Sequence, residues 1–246
     1  MPRFTVIVPA LNEEENLGAT LEAILREFGA AGFAVEILVF DDASTDRTGE
    51  IADAWARRDP RVRTFHNPRR LNIGGSYKAG IREARGAHIL LVPGDNEMLL
   101  DEIVRGARYA DAADVVLFYV TNAWEARPAL RVVLSGLYVR VVNVLFNTRF
   151  RYTNGTNIFA TSLLRRVEIV TDGFSYQTEA VVKALRSGAS FVHVGIRIQP
   201  RGGGRSTALS WKNVRLVVIA LGRLWSEVML RERARYRRRG RVVGTY

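Results

Sequence analysis

The sequence predicts an α/β fold in which helices cover both faces of a mostly parallel central sheet. Three observations carry this. Short apolar runs alternate with amphipathic stretches through the first half of the chain. Most of the runs are almost wholly apolar, as strands buried on both faces are. A polar cluster follows most of them, and right-handed crossovers between parallel strands gather such clusters on one rim.

Phe4-Thr5-Val6-Ile7-Val8 reads as a buried strand ended by Pro9. From Glu14 to Phe28, the residues Leu17, Leu21, Ile24, Leu25 and Phe28 fall on one helical face. Val35 to Phe40 is a second strand, and Asp46 to Arg57 a helix. Val62 to His66 is a strand, Asn72 to Ala84 a helix and His88 to Val92 a strand. Leu99 to Ala110 is helical and Val115 to Val120 extended. The second half is less regular. Leu130 to Phe146 is a helix or helix pair, Asn157 to Thr161 a short strand, Ser175 to Arg186 a helix and Phe191 to Ile198 a strand. A Gly/Arg-rich loop, Pro200 to Ser206, precedes an apolar helix over Leu216 to Leu230. No repeat or linker divides the chain, but composition separates a main unit, 1–210, from 211–246, an amphipathic C-terminal helix and Arg-rich tail.

The 246 residues, 48% apolar and 25% charged, are those of an ordinary globular chain. The absence of cysteine excludes a disulfide framework, a thiolate zinc site and a cysteine nucleophile. Three scattered histidines do not make a metal site, so any metal must sit on carboxylates. The start of the chain runs straight into a strand, so no signal peptide is expected. No 18-residue stretch lacks a charge, so no spanning helix is expected either. The net charge is +11, and Arg231 to Arg241 holds seven Arg against one Glu. An apolar helix followed by such a cluster suits an anionic membrane surface, the alternative being a core helix with a solvated tail. Nucleic acid is not expected as a partner, because no aromatics interleave with the arginines. The expected location is cytoplasmic, peripheral at the cytoplasmic face of a membrane.

Four polar clusters stand at strand ends. The first is Pro9-Ala10-Leu11-Asn12-Glu13-Glu14, where Asn12 and the glutamates suit a helix start. The second is Asp41-Asp42-Ala43-Ser44-Thr45-Asp46. Asp46 or Ser44 can cap the next helix, but Asp41 is left for a ribose hydroxyl or base N–H. The third, Asn67 to Ser76 with Arg69, Arg70, Gly74 and Gly75, opens a helix that can approach an anion. The fourth is Pro93-Gly94-Asp95-Asn96-Glu97. If extended, it points both carboxylates the same way toward one divalent ion, the alternative being an exposed acidic turn.

Together these motifs, with Asn72-Ile73-Gly74 through Gly80 and Arg85-Gly86-Ala87, resemble family 2 glycosyltransferases of the GT-A, Rossmann-like fold. The branch they are most similar to is the polyprenyl-phosphate, dolichyl-phosphate-mannose-synthase-like one. The later segments Gly173 to Glu179 and Arg201 to Ser206 follow in its order. The resemblance implies a GDP- or UDP-linked sugar donor, Mg²⁺ or Mn²⁺, inverting transfer and a lipid-phosphate or glycan acceptor. It implies that Pro9, Leu11, Asn12 and Glu13 line the nucleoside site with Asp41, Asp42, Gly74 and Gly94. It implies that Asp95 and Glu97 hold the metal, with Arg201 near the phosphates. The sequence departs from the family pattern at Pro93, in place of the first motif acid, and at Thr207, in place of a lysine for which Arg205 can substitute.

A lipid-phosphate acceptor needs cations rather than a base, and Arg127, Arg131, Arg201 and Arg205 are the candidates. A hydroxyl acceptor needs a base, for which Glu179 and Asp172 are the candidates; a solvated helix face and a helix cap are the alternatives for these two. A non-catalytic nucleotide-sugar-binding homologue is the remaining reading. A dinucleotide-binding dehydrogenase is disfavoured by the lack of a glycine fingerprint after the first strand.

Overall fold

The computed structural model describes residues 1–152, 155–173, 175–199 and 211–246, and of 211–214 only the backbone. Eight strands form one sheet in the order β3-β2-β1-β4-β6-β5-β7-β8 among the described residues. They are β1 (Phe4–Ala10), β2 (Val35–Asp41), β3 (Val62–His66), β4 (His88–Leu91), β5 (Val115–Val120), β6 (Ile158–Ala160), β7 (Ser190–Ile196) and β8 (Arg241–Thr245). Only β6 runs antiparallel, between β4 and β5. The other strands share one direction, so their carboxyl ends share one rim. The chain winds from β1 toward β3 on one side and returns to β4 on the other. The crevice between β1 and β4 is therefore the topological switch point, where such sheets bind ligands.

The helices are α1 (Leu17–Ala30), α2 (Thr48–Arg58), α3 (Asn72–Glu83), α4 (Leu100–Ala107), α5 (Ala123–Ala126), α6 (Ala129–Phe146), α7 (Thr161–Arg166), α8 (Tyr176–Arg186) and α9 (Trp211–Trp225). A π-helical turn, Ser226–Arg231, extends α9. Successive strand residues feed opposite cores, as the two-residue pleat requires. Val6, Val8, Ile37 and Val39 pack with Leu21, Ile24 and Phe28 of α1 and Ile103 of α4. Ile7, Leu38 and Phe40 pack with Tyr77 of α3, Val142 and Phe146 of α6, and Leu185 of α8. Each such side chain contributes about 1.5–3 kcal/mol on burial.

The structure corrects several expectations. Pro9 does not end β1; it pairs with Phe40 inside the strand. Its missing N–H falls on the side of β4, whose pairing with β1 has already ended at Leu91. Helix α1 starts at Leu17 rather than Glu14, because Glu13 O accepts from both Asn16 N and Leu17 N in a tight turn. The C-terminal arginine stretch is not a frayed tail. It leads into β8, which pairs with β7, and Leu224, Val228 and Tyr236 join the core. By length and composition α6 is the one helix among the described residues that could span a membrane, since Arg131 and Arg140 are its only charged residues and most of the rest is apolar. Val139, Val142 and Phe146 nevertheless bury one side of it in the core.

Candidate active site

The acidic clusters meet at the carboxyl-end rim, where two loops interlock. Asn12 takes a left-handed backbone (φ 56°) and turns its N–H to Ser44 Oγ, 3.1 Å away. Its Oδ1 accepts from Thr45 N at 2.9 Å, so Asn12 joins the two loops rather than capping α1. Glu13 N donates to Thr48 Oγ1 at 2.7 Å, and Glu14 N to Asp46 Oδ2 at 3.2 Å. Asp46 Oδ1 in turn accepts from Thr48 N, at the start of α2. Of the five non-glycine residues at positive φ among the described residues, Asn12, Ala43, Asn72 and Asn96 all lie on this rim. Such strain collects at functional sites.

Asp41 ends β2 nearly buried. Its Oδ1 accepts from Ser44 N at 3.0 Å, and its Oδ2 lies 3.1 Å from His66 Nδ1. Burial pushes the Asp41 carboxyl up, but the hydrogen bonds from Ser44 and His66 outweigh it and hold it below the ordinary aspartate value. His66 also reaches Asp53 through Nε2 at 3.1 Å; its bonds to Asp41 and Asp53 raise it above the ordinary histidine value. The sequence alone does not single out His66, although its place at the carboxyl end of a strand, like that of Asp41, was the available signal. Asp42 is occupied from within. Its oxygens accept from Asn67 Nδ2 at 2.9 Å, Leu71 N at 2.7 Å and Asn72 N at 2.9 Å, pinning the loop before α3.

Gly74 makes a close approach, but to the chain's own backbone. A Cβ there would lie 2.6 Å from Thr171 O, and Gly74 N donates to Asp172 O at 2.9 Å. Gly94 N donates to Pro9 O at 3.1 Å, which ties the acidic turn after β4 to the end of β1. That turn is not extended as expected. Asn96 is left-handed (φ 53°), and Asp95 Oδ1 accepts from Glu97 N at 3.1 Å. The two carboxylates still stand on the same rim as Glu13. Burial raises the Glu13 carboxyl above its ordinary value, and the charges of Asp95, Asp46 and Glu97 push it further. Crowded carboxylates of this kind suit a cation. No group of three His, Asp or Glu side chains among the described residues could hold one alone. Two carboxylates completed by substrate phosphates are the usual setting for Mg²⁺, and Asp95 with Glu97 fits that pattern.

Glu179 is neither a solvated face nor a free base. It is buried, accepts from Val170 N at 3.0 Å and Thr171 N at 2.9 Å, and pairs with Lys183 Nζ at 2.8 Å. Burial raises its carboxyl, but these bonds, that of Lys183 foremost, prevail and hold it low. Lys183 also pairs with Glu227 of the π-turn. Asp172, on the loop beside α3, is exposed and pairs with Lys78. Arg127 donates to Tyr152 Oη at 3.0 Å. Arg201, Arg205 and Thr207 lie outside the described residues.

The family model described as Glycosyl transferase family 2 matches residues 5–168, a span that includes Glu13, Asp41, Asp95 and Glu97. Polyprenol monophosphomannose synthase of Mycolicibacterium smegmatis is 29% identical over 231 residues, 87% of this chain and 83% of that protein. Undecaprenyl-phosphate mannosyltransferase of Micrococcus luteus is 28% identical over 217 residues, 83% of this chain and 86% of that protein. Among solved structures, glucosyl-3-phosphoglycerate synthase from Mycobacterium tuberculosis superposes with a TM-score of 0.66 at 15% identity, over 92% of this chain and 80% of that one. It has been solved with Mn²⁺, UDP-glucose and phosphoglyceric acid, and with Mg²⁺ and UDP. That likeness shows the fold, an α/β sheet of the GT-A type. The extent of the family match and the motifs on its rim make this chain a glycosyltransferase, a member of glycosyl transferase family 2.

Proposed function

We propose that this glycosyltransferase moves a sugar from a nucleotide diphosphate to a polyprenyl phosphate at the cytoplasmic surface of a membrane, with Mg²⁺ or Mn²⁺ on the donor. The observation that carries the reading is the crowding of Glu13, Asp95 and Glu97 on the rim beside the β1/β4 switch point, with Asp41 on the same rim at the end of β2. Pro9, Leu11 and Asn12 line the nucleoside site beside Asp41, which orients base or ribose. Asp42 holds the loop before α3, and Gly74 seats that helix against residues 171–172. Asp95 and Glu97 hold the cation. When bound, it neutralises charge developing on the departing diphosphate. Arg201 belongs near the same phosphates.

An acceptor phosphate oxygen bonds to the anomeric carbon as the bond from that carbon to the donor diphosphate breaks. A single displacement of this kind inverts the centre, and the nucleoside diphosphate leaves. The acceptor, with a second pKa of about 6, is ionised near neutral pH and needs no base. The burial of Glu179 against Lys183 supports a base-free reaction. The names of the two relatives support a polyprenyl phosphate acceptor and make mannose the first sugar to test. The membrane reading is supported by α6, where Leu130, Val133, Leu137, Val141 and Val144 form an exposed apolar stripe opposite its buried side. Leu216, Val218, Ile219 and Leu230 are exposed on α9 and the turn after it.

The test is a panel of GDP- and UDP-sugars with Mn²⁺ or Mg²⁺ and a short polyprenyl phosphate. Metal-dependent formation of a polyprenyl-phosphate sugar is expected. Transfer to a glycan hydroxyl while the lipid phosphate is ignored would contradict the reading.

A further inference from the structure

The C-terminal arginines gather around a cavity. With β8 on the sheet edge, residues 232–240 are held between the π-turn and that strand. A cavity of about 700 Å³ opens beside them, lined by Arg165 and Arg166 of α7 and by Arg235, Tyr236 and Arg238. Two further lining residues, Asp114 and Ala189, stand just before β5 and β7. The cavity therefore sits at the amino ends of these strands, the opposite pole from the donor rim.

Its charge is unbalanced. Of the four lining arginines, Arg235 pairs with Glu232 at 3.1 Å, and Arg165 donates to Ala84 O at 2.6 Å. The Asp114 carboxylate is taken up by Ser190 N at 2.8 Å and Ser190 Oγ at 2.7 Å. The side chains of Arg166 and Arg238 have no hydrogen bond or ion pair among the described residues. One buried donor on a lining residue also lacks a hydrogen-bond partner among the described residues: the Tyr236 hydroxyl, on a residue 1% exposed. Forked arginine donors converging on a concavity suit phosphate oxygens best, and the volume lies in the range of small-ligand sites.

We infer that this arginine-lined cavity binds a phosphate-class anion, separately from the nucleotide-sugar site. The source is either a free phosphate compound or the headgroup of an anionic phospholipid, and the two separate experimentally. Pyrophosphate is titrated calorimetrically into the full chain with EDTA present, which removes any cation from the donor rim. Binding is expected in wild type and in Asp95→Ala, and at least tenfold weaker in the Arg166→Ala/Arg238→Ala double variant. If the headgroup is the source, pyrophosphate does not bind, and the double variant instead binds phosphatidylcholine vesicles containing phosphatidylglycerol at least tenfold more weakly than wild type. Wild-type and double-variant chains that behave alike toward both probes would overturn the inference. Phenylglyoxal modification of the wild type needs no variant. Protection of Arg166 and Arg238 by pyrophosphate or by the anionic vesicles is expected, and equal modification with and without both would again overturn it.

Discussion

At the scale of single residues, the site is built from carboxylates with different duties. His66 bridges Asp41 and Asp53, and their hydrogen bonds raise it above about 6.5. A raised histidine adds stability that is fully present below its unfolded value and lost as pH rises through the folded one. Asp41, held low, adds stability above its unfolded value that is lost as pH falls through the folded one. His66→Ala should therefore lower the urea midpoint at pH 6 and scarcely change it at pH 9. Equal losses at both would contradict the bridge. Lys183 tests a second duty. It is fully buried between Glu179 and Glu227, and Lys183→Met leaves Glu179 buried without its cation. Breaking such a pair costs about 3–5 kcal/mol, read from equilibrium urea unfolding; a loss under about 1 kcal/mol would mean the pair is not integral. Two of these three residues were legible as partners, since Glu179 and Lys183 stand four apart on a helix. Glu227 was not, because only the tertiary packing of the turn after α9 brings it there. Asp41 and Asp95 could be singled out because a carboxylate after an apolar strand needs a reason. The inward duty of Asp42 could not, because its partners lie across a loop.

Elements behave as their glycines and edges dictate. In α3, Gly74 lets the helix touch residues 171–172, where a Cβ would lie 2.6 Å from Thr171 O and 2.7 Å from Asp172 O. Neither backbone oxygen can yield easily, so Gly74→Ala should cost about 1–3 kcal/mol. In α6, Gly136 is exposed, with nothing within 4 Å of a Cβ there, so Gly136→Ala should add about 0.5–1 kcal/mol. Thermal melts of the pair check both signs, and a stabilising Gly74→Ala would contradict the close approach. The strands β1, β2, β4 and β5 were legible because each is a largely apolar run of strand length, and β3 because Val62, Thr64 and Phe65 favour an extended chain between turn residues. Helix α7 was missed because its six residues are too few to show a period. Strand β8 was missed because Val242 and Val243 offer only two apolar residues among arginines and glycines, and its pairing with β7 includes a register shift.

Across the whole molecule, the two poles and the apolar flank are separate surfaces. Helix α6 is apolar on both sides. Val139, Val142 and Phe146 face the core, while Leu137, at 54% exposure, and Val144, at 82%, face outward. A bilayer surface would cover that outer stripe. Leu137→Asp with Val144→Asp should weaken co-sedimentation with phospholipid vesicles at least tenfold while leaving the melting temperature within a few degrees. Unchanged sedimentation would remove α6 from membrane contact. The placing of the rim and of the apolar helices was readable in outline, from polar clusters at strand ends and from long, mostly apolar helical stretches. The arginine-lined cavity was not, because it forms only when α7 and the C-terminal segment fold against the amino ends of β5 and β7. The central claim is that the acidic rim between β1 and β4 is where cation and donor meet. Mn²⁺ paramagnetic-resonance titration with a nucleoside diphosphate tests it most directly. The account predicts that wild type sequesters Mn²⁺ only when the nucleotide is present, and that Asp95→Ala weakens this by about 100-fold, the scale of losing one charge-stabilising group. Full Mn²⁺ binding by Asp95→Ala in the presence of nucleotide would contradict it.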